Sequence, residues 1–600
     1  MANFLVIVDP DSTRREAFSR EAERRIAPLP GLIQGGCSSG DFRALWAAGA
    51  RAPVSFARDE DGAAVLWGDV LDDGGSCVDA LRLRAAWGSG GATLPAFDGY
   101  HAAVVYDVER GLTLGADLIG MFPVYWWASG EVLLAGSSPE LFRLHPCFRS
   151  SVDLEGLAAM LLTMYSVDGR TLLSGVRRLA PGHLLRAVRG RALGEMVNYR
   201  LPLSSSYHDI PFSAQVELLN EVLVDAVRRH VPTNEPCTLS LSGGRDSRLV
   251  AGLLEQQGNA VTALTFGERD DMEMRCARAV ARTTGFAHRT LPLQVDSKGE
   301  CGELHATWLH CTTGFGALAH WGSPARMGDL PPRLATGYVM DPIVGGTHIG
   351  WAYDKVSRRM SFDSFFARIN AHGVAEETLG SLFAGRAAKD LVDSAKSTVR
   401  RNYDAYSDIE SQKAWCFDIH HRQRFHVGNP PWFFSFASWP VQPAVDRRVL
   451  DVAGGLPLAT LAERRAQDAV IRRFFPHLAE LPLDRNSYDT EPLSPRVRYL
   501  VGRYVGERLS PITNIVARRN RGDRERRFYY RIFDFNSPGW QAIRRLAEPY
   551  RDKLDGLVDR DRLDEYLPPP GVELRVRNGI VDSSGRKMLV GLMLWARDHM

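Results

Sequence analysis

At 600 residues, with 45% hydrophobic and 24% charged side chains and no low-complexity tract, the chain has the composition of a soluble protein large enough for about two or three cored domains. Lys+Arg at 73 against Asp+Glu at 71 leaves a formal charge of +2, which excludes a global basic field for nucleic acid. No apolar run reaches the roughly 18 residues of a membrane span, and the eight cysteines fall without a CxxC pair, the pattern of reduced thiols in a cytoplasmic protein with no zinc site.

The opening MANFLVIVDPDS lacks the basic region and cleavage site of a signal peptide. From 1 to about 205, short strands and turns alternate, with VYDVERGLTLG and WASGEVLLA as hairpins, and a β-rich domain of two sheets is expected. The polar, proline-containing segment 204–214 reads as a linker. After it the period changes: helix in FSAQVELLNEVLVDAVRRHV, strand in CTLSLSGG, helix in SRLVAGLLEQQG, strand in AVTALTFG, helix in EMRCARAVARTTG, strand in HRTLPL. That alternation predicts a parallel sheet with helices on both faces. From about 355 onward helical patterns dominate, and no internal repeat is present.

The stretch LSLSGGRDSRLV, 239–250, reads as a buried strand, a glycine turn and a helix N-terminus. Backbone N–H groups at such a turn, together with the helix dipole, suit phosphate. A glycine pair can also serve only to bend the chain. Here, however, Asp246 lies in the first helical turn, placed to hold Mg²⁺ beside a phosphate. The loop is not GxxxxGK[ST], so it does not grip phosphates with a Walker lysine. Ser242, Gly243, Gly244, Asp246 and Ser247 spell S-G-G-x-D-S, the PP-loop pattern of ATP pyrophosphatases, which cleave ATP between the α and β phosphates.

Several further stretches, in order, resemble the asparagine synthetase B superfamily over nearly the whole length. These are FDGYHAAVVYD (97–107), GADLIGMFPVYW (115–126), LLSGVRRLAPGHLLR (172–186), TGYVMDPIVGG (336–346) and WPVQPAVDRRVLDVAGGLP (439–457). The resemblance implies a mixed α/β chain in two parts. Residues 1–205 would form an Ntn-hydrolase-like, glutaminase-derived β-sandwich with helices. Residues 206–600 would form an ATP-pyrophosphatase domain with a parallel sheet and a helical C-terminal part.

The departures from that family carry functional meaning. A glutamine-hydrolysing relative needs a cysteine at position 2 whose own α-amine activates the thiol. Position 2 here is Ala2, and Cys37 is internal; LWGDVLDD stands where the glutamine-binding stretch would be. The first domain is therefore expected to have lost ammonia production, leaving an ATP-dependent carboxylate activator whose nucleophile is an amine of its substrate or of a second substrate.

Two branches of the superfamily work this way: β-lactam synthetases, and lasso peptide cyclases of the microcin J25 type. The form S-G-G-R-D-S-R and the chain length resemble the cyclases. The function implied is adenylation of an Asp or Glu side chain of a precursor core peptide, then isopeptide (macrolactam) closure onto its N-terminal amine, with AMP and pyrophosphate released. ATP and Mg²⁺ are the implied cofactors, and a leader-binding peptidase the implied partner.

The same resemblance assigns roles. Asp246 and Asp341 would hold Mg²⁺, each at the C-terminal edge of a predicted strand, where α/β sheets bind ligands. Tyr338 would take the amine proton, with Glu376 or Glu377 as partner. Arg485 would stand in for the family lysine, and Arg245 and Arg248 could touch phosphate. Adenine would lie against the backbone near Leu264 and Phe266, and against Thr336 and Gly337. The basic run VARRNRGDRERRFYYR (516–531) reads as a solvated helix face, or as a dock for an acidic precursor peptide or for the partner peptidase. Alternatives are a β-lactam or other small-amide synthetase, an ammonia-dependent asparagine synthetase, and a non-catalytic nucleotide-binding protein.

Overall fold

The protein is described here as a computed structural model covering residues 2–88, 91, 93–188, 193–292, 298–311, 317–385, 388–427, 429–485, 490–497, 499–501, 532–575 and 584–600. The basic run at 516–531 lies outside the described residues.

The N-terminal part consists of two six-stranded sheets, antiparallel throughout. Strand Ala2–Val8 lies inside the first sheet between Phe42–Ala48 and Val132–Gly136. Both expected hairpins form, His101–Asp107 with Gly111–Ala116 and Tyr125–Ser129 with Val132–Gly136. The sheets face one another through aromatic residues. Phe4 stacks on Trp67 at 4.2 Å, and Phe42 on Tyr106 at 5.1 Å. On the far side of the second sheet, helix Ala80–Trp87 seats Leu83 and Trp87 against Leu66 and Val105.

The alternating pattern after residue 211 becomes helix Phe212–His230, strand Cys237–Ser240, helix Arg245–Gln257, strand Val261–Phe266, helix Met272–Thr284 and strand Ala287–Leu291. Arg333–Thr336 and Trp439–Val441 complete a five-stranded sheet. The last of these, a three-residue strand with Pro440 at its centre, carries too little pattern to be read from sequence. Every pairing in the sheet is parallel. Cys237–Ser240 is central, with Val261–Phe266 on one side and Arg333–Thr336 on the other. The chain thus reverses its direction of winding at the central strand, the place where such sheets open a ligand crevice. Beyond it, helices dominate as expected, with helix Ser584–His599 almost wholly buried.

Charged networks join the two parts. Arg229 bonds Asp98 at 2.9 Å and also Asp446, and His230 meets the same Asp446 oxygen at 3.0 Å. Trp439 donates its indole N–H to Tyr100 O at 3.2 Å. The C-terminal helix is tied in by Glu140, which lies 3.2 Å from His310 Nε2 and 3.3 Å from His599 Nε2. Trp595 donates to His310 Nδ1 at 2.9 Å, which places the proton of neutral His310 on Nε2, facing Glu140. All eight cysteines are unpaired thiols. No helix among the described residues is long and apolar enough to cross a membrane.

Candidate active site

The glycine loop closes on itself through two hydroxyls. Ser242 N–H donates to Ser247 Oγ at 3.0 Å, the two Oγ atoms lie 3.0 Å apart, and Gly244 N–H donates to Ser242 Oγ at 3.1 Å. Gly244 caps helix Arg245–Gln257 with no side-chain partner, so the orphan N–H groups of the first turn face outward. Gly243 is a glycine for reasons of space. A Cβ there would lie 2.8 Å from Cys276 Cβ and 3.0 Å from Asp484 Cβ.

The second loop follows strand Arg333–Thr336, whose Thr336 pairs with Ser240 across the sheet. Gly337 lies against the first loop: a Cβ would meet the Asp246 carbonyl carbon and Ser247 N, each at 2.7 Å. Val339 is held at φ 59°, a left-handed conformation that a β-branched residue adopts only under constraint. The next residues, Asp341–Gly345, form a wide π turn, a form common at functional sites.

These two loops bring Asp246 and Asp341 together. Burial, and next the charge of Asp341, raise the Asp246 carboxyl above the ordinary range, while a hydrogen bond from Gln467 at 2.6 Å opposes the rise. Asp341 accepts from Thr347 Oγ1 at 2.6 Å and pairs with Arg464 Nε at 3.0 Å. Gln467 Oε1 is buried without a hydrogen-bond partner. A Cβ on Gly345 would lie 2.5 Å from Asp341 Oδ1 and 3.0 Å from that same Gln467 oxygen. Two mutually repelling carboxylates beside an orphan amide oxygen are a hard oxygen donor set, which fits a magnesium ion.

Phe266 and Tyr338 fall in one apolar cluster at this end of the sheet. Phe266 stacks on Phe434 at 5.2 Å, with His320 edge-on to both rings at 5.2 Å, and Tyr338 lies 6.5 Å from Phe434. Burial lowers the His320 pKa to about 4, so it is neutral near pH 7.

Other expected residues are placed elsewhere. Leu264 is mid-strand, and its carbonyl accepts from Leu241 N–H at 2.9 Å, so the sheet ladder already uses it. Glu376 opens helix Glu376–Leu382 and pairs with Lys396 at 2.9 Å, in a bundle with helices Leu154–Thr163 and Ala388–Asp404 rather than in the Tyr338 cluster. Arg248 is fully buried, donating to Leu478 O at 2.9 Å, to Leu481 O at 3.0 Å and to Pro482 O; it braces the fold and does not face the loop. Arg245 pairs with Asp468 at 2.6 Å. Arg485 adjoins Asp484, whose N–H donates to Gly243 O at 2.9 Å, but its guanidinium binds Glu491 O at 3.1 Å and Pro492 O at 3.2 Å. Sequence reasoning missed Gln467, Arg464 and His320, which belong to no motif and reach the site only through the fold.

In the first domain, Cys37 is buried in strand Ile33–Ser39, and burial raises its thiol pKa, the opposite of an activated nucleophile.

Comparison with known proteins agrees with this two-part description. Residues 79–198 match the glutamine amidotransferase domain family, and residues 218–313 match the asparagine synthase family. The "Asparagine synthetase [glutamine-hydrolyzing] 3" of Bacillus subtilis (strain 168) is 28% identical over 170 residues, which is 27% of this chain and 27% of that protein. The match thus spans about a quarter of the relative's own length. Two solved structures overlap about half of the chain at 10% identity. One is glutamine phosphoribosylpyrophosphate amidotransferase from B. subtilis with ADP and GMP, at 48% of this chain, 65% of that one and a TM-score of 0.22. The other is the allosteric regulatory enzyme of purine biosynthesis, at 49%, 80% and 0.20. Neither likeness is close enough to carry an argument.

Proposed function

From the asparagine synthase segment and the site built beside it, we propose that this chain is an ATP-dependent, AMP-forming carbon–nitrogen ligase. Its substrate reading is a lasso-type peptide cyclisation. The observation that carries the ligase reading is the meeting of Asp246 and Asp341 over the glycine loop, at the switch point of the parallel sheet.

A carboxylate oxygen of the substrate attacks the α-phosphorus of ATP and pyrophosphate leaves. The substrate amine then attacks the acyl carbon and AMP leaves. Magnesium, held by Asp246 and Asp341, would offset the charge of the departing pyrophosphate. The N–H groups around Gly244 and the Ser242 hydroxyl orient the phosphates. Phe266 and the neighbouring aromatic rings supply an apolar wall for adenine, with Thr336 and Gly337 lining the strand end. Tyr338, in the same apolar cluster as Phe266, would accept or relay the amine proton. A peptide α-amine has a pKa of about 8, so orientation rather than strong base supplies most of the rate.

Support for an amine of the substrate, rather than ammonia, comes from Ala2 and from the inert setting of Cys37. The similarity to a Bacillus asparagine synthetase favours a second reading, amide formation from aspartate and ammonia. The test supplies Mg²⁺, ATP and a glycine-initiated core peptide with an internal Asp or Glu, alongside the presumed leader peptidase. A peptide lighter by one water supports cyclisation. Asparagine from aspartate and ammonium, with no peptide change, would replace it with the second reading.

A further inference from the structure

Away from the adenylation site, a cavity of about 580 Å³ opens between the first domain and the helical segment 402–425. Four arginines, Arg177, Arg178, Arg200 and Arg424, border it against two acids, Asp168 and Glu195, and Glu195 accepts from Trp126 Nε1 at 2.7 Å and Ala180 N–H at 3.0 Å. Such a volume suits one small organic ligand.

Two of these arginines are buried almost completely, Arg178 at 2% exposure and Arg424 at 3%. They converge on one backbone oxygen, Gly120 O, at 3.0 Å and 2.9 Å, and Arg424 also holds Leu179 O at 2.7 Å. Gly120 adopts a left-handed φ of 65°, and a Cβ there would lie 2.7 Å from Arg424 Nη2. Among the described residues neither arginine forms an ion pair with a carboxylate, and Arg178 Nε has no hydrogen-bond partner. The buried acid that acts on both, Asp117, spends its oxygens on Met121 N–H at 2.9 Å and Phe122 N–H at 2.6 Å. Two cations thus face one carboxylate, and burial with mutual repulsion lowers the Arg424 pKa to about 9.

His420 and His421 border the same cavity as neutral imidazoles, kept uncharged by burial. His421 Nε2 meets Tyr406 Oη at 3.0 Å, while Nδ1 of both His420 and His421 is buried without a partner. Backbone carbonyls and the Phe425 ring, 4.5 Å from the Arg178 guanidinium and 5.5 Å from that of Arg424, offset part of the arginines' charge. Yet two buried cations share the single acid Asp117, an imbalance that a bound anion would redress. Trp126, Leu201, Tyr406 and Phe425 give the same cavity apolar and aromatic surface.

We infer that this inter-domain cavity is a binding site for an organic anion, with a carboxylate or phosphate head against the arginines and an apolar body against the aromatic wall. The site is separate from the glycine loop and does not depend on the reaction proposed above.

The test uses three probes with one aromatic body: benzoate, phenyl phosphate and neutral benzamide, titrated calorimetrically into the full-length protein. Binding of either anion, with benzamide at least tenfold weaker, is expected, and the tighter of the two identifies the head group. Exposed Arg200 at the rim supplies the first variant; Arg200→Ala should weaken the anion about ten- to a hundredfold, the loss of a charge-assisted hydrogen bond. Ala405 is exposed and borders the cavity, so Ala405→Trp fills its mouth without disturbing a buried residue and should abolish binding. Phenyl phosphate held by the glycine loop would ignore both variants. Anion binding that both variants leave unchanged, equal binding of benzamide, or no binding by either anion would each overturn the assignment.

Discussion

Gly337→Ala is the substitution that the site geometry judges most sharply. Gly337 has no positive φ, so an alanine there meets no backbone-conformational penalty, and the whole effect is spatial. Its new methyl would sit 2.7 Å from Asp246 C and Ser247 N, and reaching ordinary contact at 3.4 Å requires a separation of 3.4 − 2.7, about 0.7 Å. Both obstructing atoms are backbone, at the start of a helix, so neither can rotate away. The loop carrying Asp341 must move off the loop carrying Asp246. Overpacking of this kind costs about 1–3 kcal/mol, and a misplacement near 1 Å at a reacting centre costs about a hundredfold in rate. We expect pyrophosphate release to fall tenfold to a hundredfold, with a higher Mg²⁺ requirement and a retained fold. Gly350→Ala is the control, because a Cβ there meets nothing within 4 Å and Gly350 has no positive φ. The assay is ATP-dependent pyrophosphate release at saturating substrate, with thermal unfolding monitored in parallel. A folded Gly337→Ala protein with the rate and Mg²⁺ dependence of the parent would refute the two-loop site.

Arg248→Met strands three buried carbonyls and should cost about 3 kcal/mol, read by denaturant unfolding; unchanged stability with only a raised KM for ATP would instead make Arg248 a phosphate ligand. Glu376→Gln removes a half-exposed ion pair with Lys396 and should change stability by less than about 1 kcal/mol and leave ligation within about twofold of the parent; a hundredfold loss would restore Glu376 to the site. Burial lowers the pKa of His101, His320 and His372 to about 4, and of His305 and His420 to about 3, from an ordinary 6.5. The unfolded chain then binds more protons than the folded one below pH 6.5, so stability is full above that pH and falls between 6.5 and about 4, by about 1.4 kcal/mol per pH unit for each such histidine. Asp117, raised to about 6 chiefly by burial, works in the opposite direction over part of that range. An unfolding midpoint that stays level from pH 7 to 4.5 would contradict this ledger of buried neutral histidines.

The parallel sheet was legible because each strand and helix carries its own period, and the glycine loop because its turn, its acid and its flanking strand are contiguous. Asp341 was named through the resemblance of its loop, and the structure places it in the π turn that follows strand Arg333–Thr336. Gln467 and Arg464 were not legible, since nothing in ERRAQDAVIRRF separates a residue that touches Asp246 or Asp341 from the rest of an amphipathic helix. Only its packing against the second loop does so. Arg464 is positioned by two successive left-handed residues, Glu463 at φ 55° and itself at φ 64°, which no propensity predicts. Glu376 was misplaced because helix Glu376–Leu382 docks on the first domain, a tertiary choice that its short sequence does not announce. Of the two residues named for adenine, Leu264 is mid-strand, while Phe266 ends the strand and joins the aromatic cluster with Tyr338.

The most direct test of the central claim is the identity of the nucleotide products. The protein is incubated with Mg²⁺, ATP and the carboxylate substrate, and the nucleotides are resolved by chromatography. The account predicts AMP and pyrophosphate in equal amounts, both lost in Asp246→Ala and in Asp341→Ala. ADP and inorganic phosphate, or AMP formation that survives both substitutions, would contradict it.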